Sequence, residues 1–359
     1  MAENTEVIEP APEQPRVFPE AKKKKSSCLG CLFGCFAAFV VLLFVMLAAA
    51  WLIGSLLPKF SGDQESEDDT EESVLRSASE AGGKIAVIDI RGIILNAGGG
   101  FSENADSETI CKQIRKAAKD PEVRAIILNL NTPGGEVTAS DDIYFAVLQA
   151  KKSKPVIALM NSMAASGGYY VAAACDWIVA NRMTLTGSIG VIISSFNVKG
   201  LLDKIGVQAE VYKSGKMKDL LSATRGKTQE ENALIQSLVD ECYTEFVEIV
   251  SAGRRIPVEK IRTTEIGDGR VFHGARALEL GLIDELGRMP EAVAKAEELA
   301  KCEPGSLKVV RYKRNNSLFN LLFSADAEAS HLLRVRLPGF AAPELQQGCL
   351  YFLPQDYLK

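Results

Sequence analysis

The chain has 359 residues, 47% of them hydrophobic and 24% charged, which is too apolar for a disordered protein and long enough for about two average domains. With 41 Lys and Arg against 46 Asp and Glu the formal net charge is -5, and the one dense basic run is Lys22 to Lys25, so no nucleic-acid partner is expected. Two His leave almost no material for a His-based zinc site or a Ser-His-Asp triad, and eight Cys are too sparse for a disulfide scaffold.

Taken in chain order, residues 1–27 read as a disordered cytoplasmic tail rich in Glu and Pro. Cys28 to Leu57 is a run of 30 residues without a charge, and about 20 apolar residues suffice to cross a hydrocarbon core, so residues 28–57 are expected to be one transmembrane helix in contact with lipid. Four lysines precede it and seven acids lie between Asp63 and Glu72, which puts the N-terminus in the cytoplasm and everything after Lys59 outside. A cleaved signal peptide ending near Ala48 to Ala50 is the rival, but apolar sequence continues through Leu57. Cys28, Cys31 and Cys35 share a helix face; with no second Cys pair to close a tetrahedral site, they read as small apolar residues.

Residues 58–83 read as an acidic, solvated linker. From Lys84 strands and helices alternate, predicting an α/β domain over 84–301: strands at Ile85–Ile90, Ala125–Leu130, Val156–Met160, Trp177–Ala180 and Ala209–Tyr212, and helices at Ser107–Lys119, Thr138–Lys152, Tyr169–Ala174, Val198–Ile205, Gln229–Ala252 and Pro290–Lys301. Thr186 to Gly190 is expected to be a loop, and Gly281 to Gly287 a short strand between turns. Residues 302–359 form a tail without a clear pattern.

Two places invite chemistry. Gly134-Gly135 follow an apolar strand and a Pro, where the backbone can turn and leave amides facing a ligand, although Thr-Pro-Gly-Gly is also an ordinary tight turn. Asn161-Ser-Met-Ala-Ala-Ser-Gly-Gly168 takes a strand into small residues around Ser166 and then into an apolar helix; Ser166 is either an exposed nucleophile, with the Gly167 amide as an oxyanion donor together with Gly135, or simply a helix N-cap. A nucleophilic Ser needs a base. His273 and His331 are poorly placed in the sequence, which leaves a lysine of lowered pKa, and spacing alone does not choose among the many lysines.

Asn131-Thr-Pro-Gly-Gly135, Met163-Ala-Ala-Ser-Gly-Gly-Tyr-Tyr170, Leu185-Thr-Gly-Ser-Ile-Gly-Val191 and Lys213-Ser-Gly-Lys-Met-Lys-Asp219, followed by Gly269 to Gly287, resemble in this order the signal peptide peptidase A family of membrane-anchored serine proteases, in its short form. The resemblance runs from about Lys84 to Lys301. It implies a fold like that of Clp protease and crotonase, built from strand-strand-helix units. By the same resemblance Ser166 is the nucleophile, and Lys218, 52 residues downstream, is the general base. Ser188 orients the Lys amine, and the amides of Gly135 and Gly167 form the oxyanion hole. Lys213 and Lys216 are nearby decoys. The family also implies a ring or dome of protomers on the outer membrane face, with Ser and Lys contributed by neighbouring protomers, and remnant signal peptides as substrates. Thr132 and Glu136 depart from the Ser and Gly common in the family at those positions.

No ATP-binding loop of the Gly-x-x-x-x-Gly-Lys-Ser/Thr kind and no metal-ligand cluster is visible, so no cofactor is expected, and without an unfoldase of its own the protein is limited to peptides or unfolded chains. Two other readings remain. A crotonase-type acyl-CoA enzyme would share the paired-amide oxyanion hole, but an outward-facing domain lies away from cytoplasmic CoA thioesters. A non-catalytic membrane scaffold is disfavoured by the presence of Ser166, Lys218 and Ser188 together. Cys111, Cys175, Cys242, Cys302 and Cys349 follow the apolar segment, and their odd number leaves at least one thiol without an internal partner.

Overall fold

The computed structural model of the protein describes residues 70–78, 82–96, 104–314 and 351–352, together with Met46. The expected transmembrane segment, Cys28 to Leu57, lies outside the described residues apart from Met46, as do residues 1–27 and most of the tail after Arg314. Among the described residues no helix is long and apolar enough to cross a membrane.

Thirteen strands are present among the described residues: β1 (Thr70–Arg76), β2 (Lys84–Arg91), β3 (Ile94–Leu95), β4 (Ala105–Asp106), β5 (Val123–Thr132), β6 (Gly135–Glu136), β7 (Val156–Ala165), β8 (Trp177–Ala180), β9 (Leu185–Gly187), β10 (Val271–His273), β11 (Glu285–Leu286), β12 (Lys308–Arg314) and β13 (Tyr351–Phe352). The helices are α1 (Ser107–Lys119), α2 (Val137–Ala150), α3 (Gly167–Ala173), α4 (Lys199–Lys204), α5 (Gln229–Arg254), α6 (Val258–Thr263), α7 (Gly274–Glu279) and α8 (Met289–Leu299).

The main sheet runs β1-β12-β2-β5-β7-β8-β11, with β9 added to the far end of β7 and β10 to β9. All neighbours along the path from β12 to β11 are parallel, as is the β7–β9 pair; β1 and β10 are antiparallel additions. Parallel strands need both faces covered, and the alternation of side chains shows how this is done. Ala86, Ile88, Ile90, Ile126, Leu128 and Leu130 face one way, into a core shared with α1, α2, α3 and α5. Ile85, Val87, Ala125, Ile127, Ile157 and Leu159 face the other way, against Ala292, Val293 and Ala296 of α8. A mixed α/β domain with a mostly parallel sheet is the result, in agreement with the strand-helix alternation of the sequence.

Three expectations about the extent and strands of the domain change, and a fourth, at Thr186, changes within the site. The acidic stretch read as linker contains β1, whose residues Thr70 to Arg76 pair antiparallel with β12 and carry Arg76 onto the buried carboxylate of Glu297. The domain continues past Lys301: β12 inserts between β1 and β2, burying Val309, Val310 and Tyr312, because its alternating apolar residues complete both cores. Ala209 to Tyr212, by contrast, form no strand; they are exposed, Tyr212 by 93%, and no neighbouring strand offers them backbone partners.

A smaller sheet, β13-β6-β3-β4, lies where the Pro-Gly-Gly turn leaves β5. β7 brings the pieces of the candidate site together. Its first half, Ile157 to Met160, pairs with β8, and its last residues, Met163 to Ala165, pair with β9, so the segment expected to be a loop at Thr186 is in part a strand. Ser166 is the residue that follows β7, and Ser188 the residue that follows β9.

Candidate active site

Ser166 joins the end of β7 to the start of α3 with φ 52° and ψ -116°, a conformation that non-glycine residues adopt at a cost of about 1–3 kcal/mol. Its backbone is fully used, the amide donating to Gly187 O at 2.8 Å and the carbonyl accepting from Tyr170 N at 2.8 Å. Its side chain is not: although Ser166 occupies the N-cap position of α3, its hydroxyl makes no capping bond, and Oγ is buried without a hydrogen-bond partner. A buried unpaired hydroxyl costs about 1–3 kcal/mol, so the simple N-cap reading fails here, and both the strain and the unspent hydroxyl suit a nucleophile presented on a sharp strand-to-helix turn.

The two glycines expected to supply amides are neighbours in space, although 32 positions separate them in sequence. A Cβ built on Gly167 would stand 3.1 Å from the amide nitrogen of Gly135, 3.3 Å from Cα of Gly134 and 2.5 Å from Oγ of Ser140. A Cβ on Gly135 would strike the carbonyl oxygen of Ile94 at 1.8 Å, so β3 can lie against β6 only if residue 135 lacks a side chain. The turn before them is fixed by buried Thr132, whose Oγ1 accepts from Gly134 N at 3.0 Å. The departure at Glu136 leaves the amides alone: its carboxylate, nearly buried, accepts from Asn96 N at 2.9 Å and ties down the chain after β3.

Ser188 stands beside Ser166 because Ala165 and Gly187 are paired on adjacent strands. It too has positive φ, 51°, is nearly buried, and donates its amide to Arg270 O at 2.8 Å. Next to it a cleft of about 630 Å³ has a mixed lining, in which Val191, Ile192 and Ile193 stand with Gln236, Asp240 and Asp268.

Lys218, the base expected from the resemblance, does not meet the other candidates within the chain. It lies exposed in the segment between α4 and α5 and makes no hydrogen bond to Ser166 or Ser188. Its neighbours are committed elsewhere: Lys213 Nζ donates to Asp219 at 2.6 Å and Lys216 Nζ to Glu230 at 2.6 Å. Among these three lysines Lys218 alone has no carboxylate partner, and an amine that is to accept a proton cannot be held in an ion pair. His273 is exposed on β10 with Nδ1 3.3 Å from Met183 O, and His331 lies outside the described residues, so neither joins the site.

Sequence reasoning missed Ser140, whose buried hydroxyl has no hydrogen-bond partner and abuts Gly167, and Asp141, which accepts from the Tyr170 hydroxyl at 2.7 Å and ties α2 to α3. Burial and that carboxylate push the Tyr170 hydroxyl well above its ordinary pKa. Thr138-Ala-Ser-Asp141, one turn after the glycine pair, was the available signal. Cys111 and Cys175 are buried thiols, Cys111 pushed up to about 11 by its burial, and Cys242 and Cys302 are also unpaired.

Residues 148–303 match the model of peptidase family S49, a span that includes Ser166, Ser188 and Lys218. A protein of Synechocystis sp. named as a protease is 40% identical over 220 residues, 60% of this chain and 79% of the relative. A signal peptide peptidase SppA of Enterococcus faecium is 36% identical over 258 residues, 71% of this chain and 73% of the relative. Protease 4 of Salmonella typhi is 38% identical over 228 residues, 63% of this chain but only 36% of that longer protein. With a strained, unspent serine next to paired glycine amides and this degree of identity over most of two relatives, the chain belongs to peptidase family S49 and is a serine peptidase of the signal peptide peptidase A type.

Proposed function

We propose that this serine peptidase is a membrane-anchored endopeptidase with a Ser166–Lys218 dyad that degrades signal peptides left in the membrane after their release from preproteins. The observation that carries the reading is the Ser166 hydroxyl, buried and unpartnered beside the adjoining Gly135 and Gly167 backbones.

In the reaction, Lys218 takes the proton from Ser166 as Oγ attacks the scissile carbonyl carbon. The carbonyl oxygen becomes an oxyanion held by the amides of Gly135 and Gly167, an arrangement in which losing one donor costs about 10²–10³ in rate. Protonated Lys218 then gives its proton to the departing amine as the peptide bond breaks. Water, deprotonated by Lys218, attacks the acyl-enzyme, and Lys218 returns that proton to Ser166 Oγ as the ester bond breaks. Ser188 accepts a hydrogen bond from the amine and orients it. The cleft beside Ser188 receives a substrate side chain against Val191, Ile192 and Ile193, with Gln236, Asp240 and Asp268 at its polar side. Substrate backbone takes the place of β13 on β6, where β13 now runs antiparallel with Phe352 opposite Gly135.

Lys218 reaches the serine of a neighbouring protomer. Two features support this: the absence of a bond between Lys218 and Ser166 in one chain, and the exposure of Phe196, Leu201, Ile205, Val207, Val211 and Tyr212 on α4 and the chain to either side of it, an apolar surface that a second copy would cover. The protomers form a ring or dome with the Clp protease and crotonase type of fold, anchored through residues 28–57 with the N-terminus in the cytoplasm and the peptidase domain on the outer side. The uncharged run and the charge asymmetry around it support the anchor and its direction.

The test is hydrolysis of a signal peptide by the full chain in detergent, beside Ser166→Ala and Lys218→Ala. Both variants are expected to assemble and to lose activity by at least about 10³-fold, and their mixture to regain part of it. A Lys218→Ala enzyme that still cleaves would remove the dyad, and an inactive mixture of two assembling variants would remove the sharing between protomers.

A further inference from the structure

We infer that Arg225 is a positioning residue for Lys218: its guanidinium, shared between Asp219 and Glu231, pins the turn that carries the amine to the first turn of α5. The inference rests on the reading of Lys218 as the base.

The segment from Val207 to Lys216 is exposed throughout, and the backbone of residues 207–213 is in no regular element. Such a segment does not by itself fix the turn that follows it and carries Lys218, whereas a proton acceptor misplaced by 1 Å can cost about 10²-fold in rate. The chain fixes this turn from its carboxyl-terminal side. Arg225 grips Asp219, the residue after Lys218, with two parallel bonds, Nε to Oδ2 and Nη2 to Oδ1, both 2.7 Å, and a third from Nη2 to the Asp219 carbonyl oxygen at 3.2 Å. The same guanidinium donates from Nη1 to Glu231 Oε2 at 2.9 Å.

Glu231 is anchored in turn. It is 2% exposed, the only buried residue in the first half of α5, and closes a capping box in which it accepts from Thr228 N at 2.7 Å while its own amide donates to Thr228 Oγ1 at 3.1 Å. Two further ties flank the turn, Lys213 to Asp219 at 2.6 Å and Lys216 to Glu230 at 2.6 Å. Isolated surface ion pairs are worth little, but a bidentate guanidinium-carboxylate pair backed by a buried second carboxylate is directional, and direction is what a base on an exposed turn needs. Arg and Lys are therefore not equivalent at position 225, since an ammonium cannot hold both oxygens of Asp219 and reach Glu231 in one plane. The other end of α5 is seated in the core, with Phe246 against Tyr170 at a ring separation of 5.1 Å and Gly253 so close to α3 that a Cβ would stand 2.1 Å from Ala173 O. One helix thus runs from the element that follows the nucleophile to the clamp on the turn bearing the base.

The experiment is steady-state hydrolysis of a signal peptide by the full-length chain carrying Arg225→Gln, Arg225→Lys or Lys218→Ala, each measured on the assembled fraction from size exclusion. Arg225→Gln is expected to lower kcat by about 10- to 100-fold with KM within about twofold of wild type, and Arg225→Lys to recover part of that loss. An assembled Arg225→Gln enzyme of wild-type kcat beside an inactive Lys218→Ala enzyme would overturn the positioning role and leave the base assignment standing. A fully active Lys218→Ala enzyme would instead remove the base on which the inference rests. A loss confined to KM, or one present only because the variant fails to assemble, also overturns it.

Discussion

At the scale of single residues the site is built from conformations most side chains avoid. Ser166 and Ser188 both sit at positive φ at the ends of paired strands, and each is held there by backbone bonds of 2.8 Å and by burial. Gly167 has a different constraint, set by space: its missing side chain leaves room for Ser140 Oγ and for the Gly135 amide. Gly167→Ala is therefore expected to push these groups apart and lower kcat/KM by about 10²-fold or more, while Ser140→Gly in the same chain removes the closest clash and restores part of the loss; hydrolysis by the two variants checks this. The serine and the glycines could be picked out of the sequence because small residues following an apolar strand are a local pattern. Ser140 could not, because its importance is its distance to a residue 27 positions away.

At the scale of elements, α5 and the segment before it divide the labour. The second half of α5 is bound by Phe246, Val247 and Val250, all fully buried, while its first half presents Glu231 to Arg225. The guanidinium and the Thr228 amide lower the Glu231 carboxyl from about 4.5 to about 2, and Arg225 with Lys213 holds Asp219 below the usual carboxylate range as well. Because the folded value is the lower one, the clamp contributes its full stability above about pH 4.5, and that contribution is lost as the pH falls towards about 2. Amide exchange in residues 213–228, corrected for the intrinsic acid dependence, should accelerate across that window, and Glu231→Gln should show the fast exchange already at neutral pH; unchanged exchange in that variant would contradict the assignment. The helix itself was legible from its spacing to within two residues at its C-terminus, and so were α1 and β8, whose boundaries match the sequence reading. The expected strand at Ala209–Tyr212 was not there: β-branched and aromatic residues favour strands, but a strand exists only where another strand completes its hydrogen bonds.

At the scale of the molecule the decisive element is β12. It is remote in sequence from the strands it joins, yet it lies between β1 and β2 and contributes Val309 and Val310 to opposite faces of the sheet. A chain ending at Lys301, which the sequence reading places at the end of the domain, is expected to be insoluble or unfolded because it would leave an open, apolar edge on β2, whereas one ending after Arg314 keeps the sheet intact. Circular dichroism and size exclusion of the two truncations decide the point. Membership of peptidase family S49 belongs to this scale too, since the match covers 148–303 while Gly135 and β12 lie outside it. The family match thus covers the serines and Lys218 but not all of the sheet that holds them.

The sequence by itself determined the α/β class and the order of most strands and helices, because periodicity, capping and glycine placement are local properties of the chain, while the candidate site residues came from its resemblance to a known family. Tertiary structure decided which distant residues meet: that β1 and β12 close the sheet, that Gly135 and Gly167 lie side by side, that Ser166 spends no hydrogen bond on capping, and that Lys218 is held on a turn by Arg225 and apart from the serine of its own chain. Such meetings depend on backbone pairing and packing between segments far apart in sequence, whose outcome the linear order of residue types does not contain.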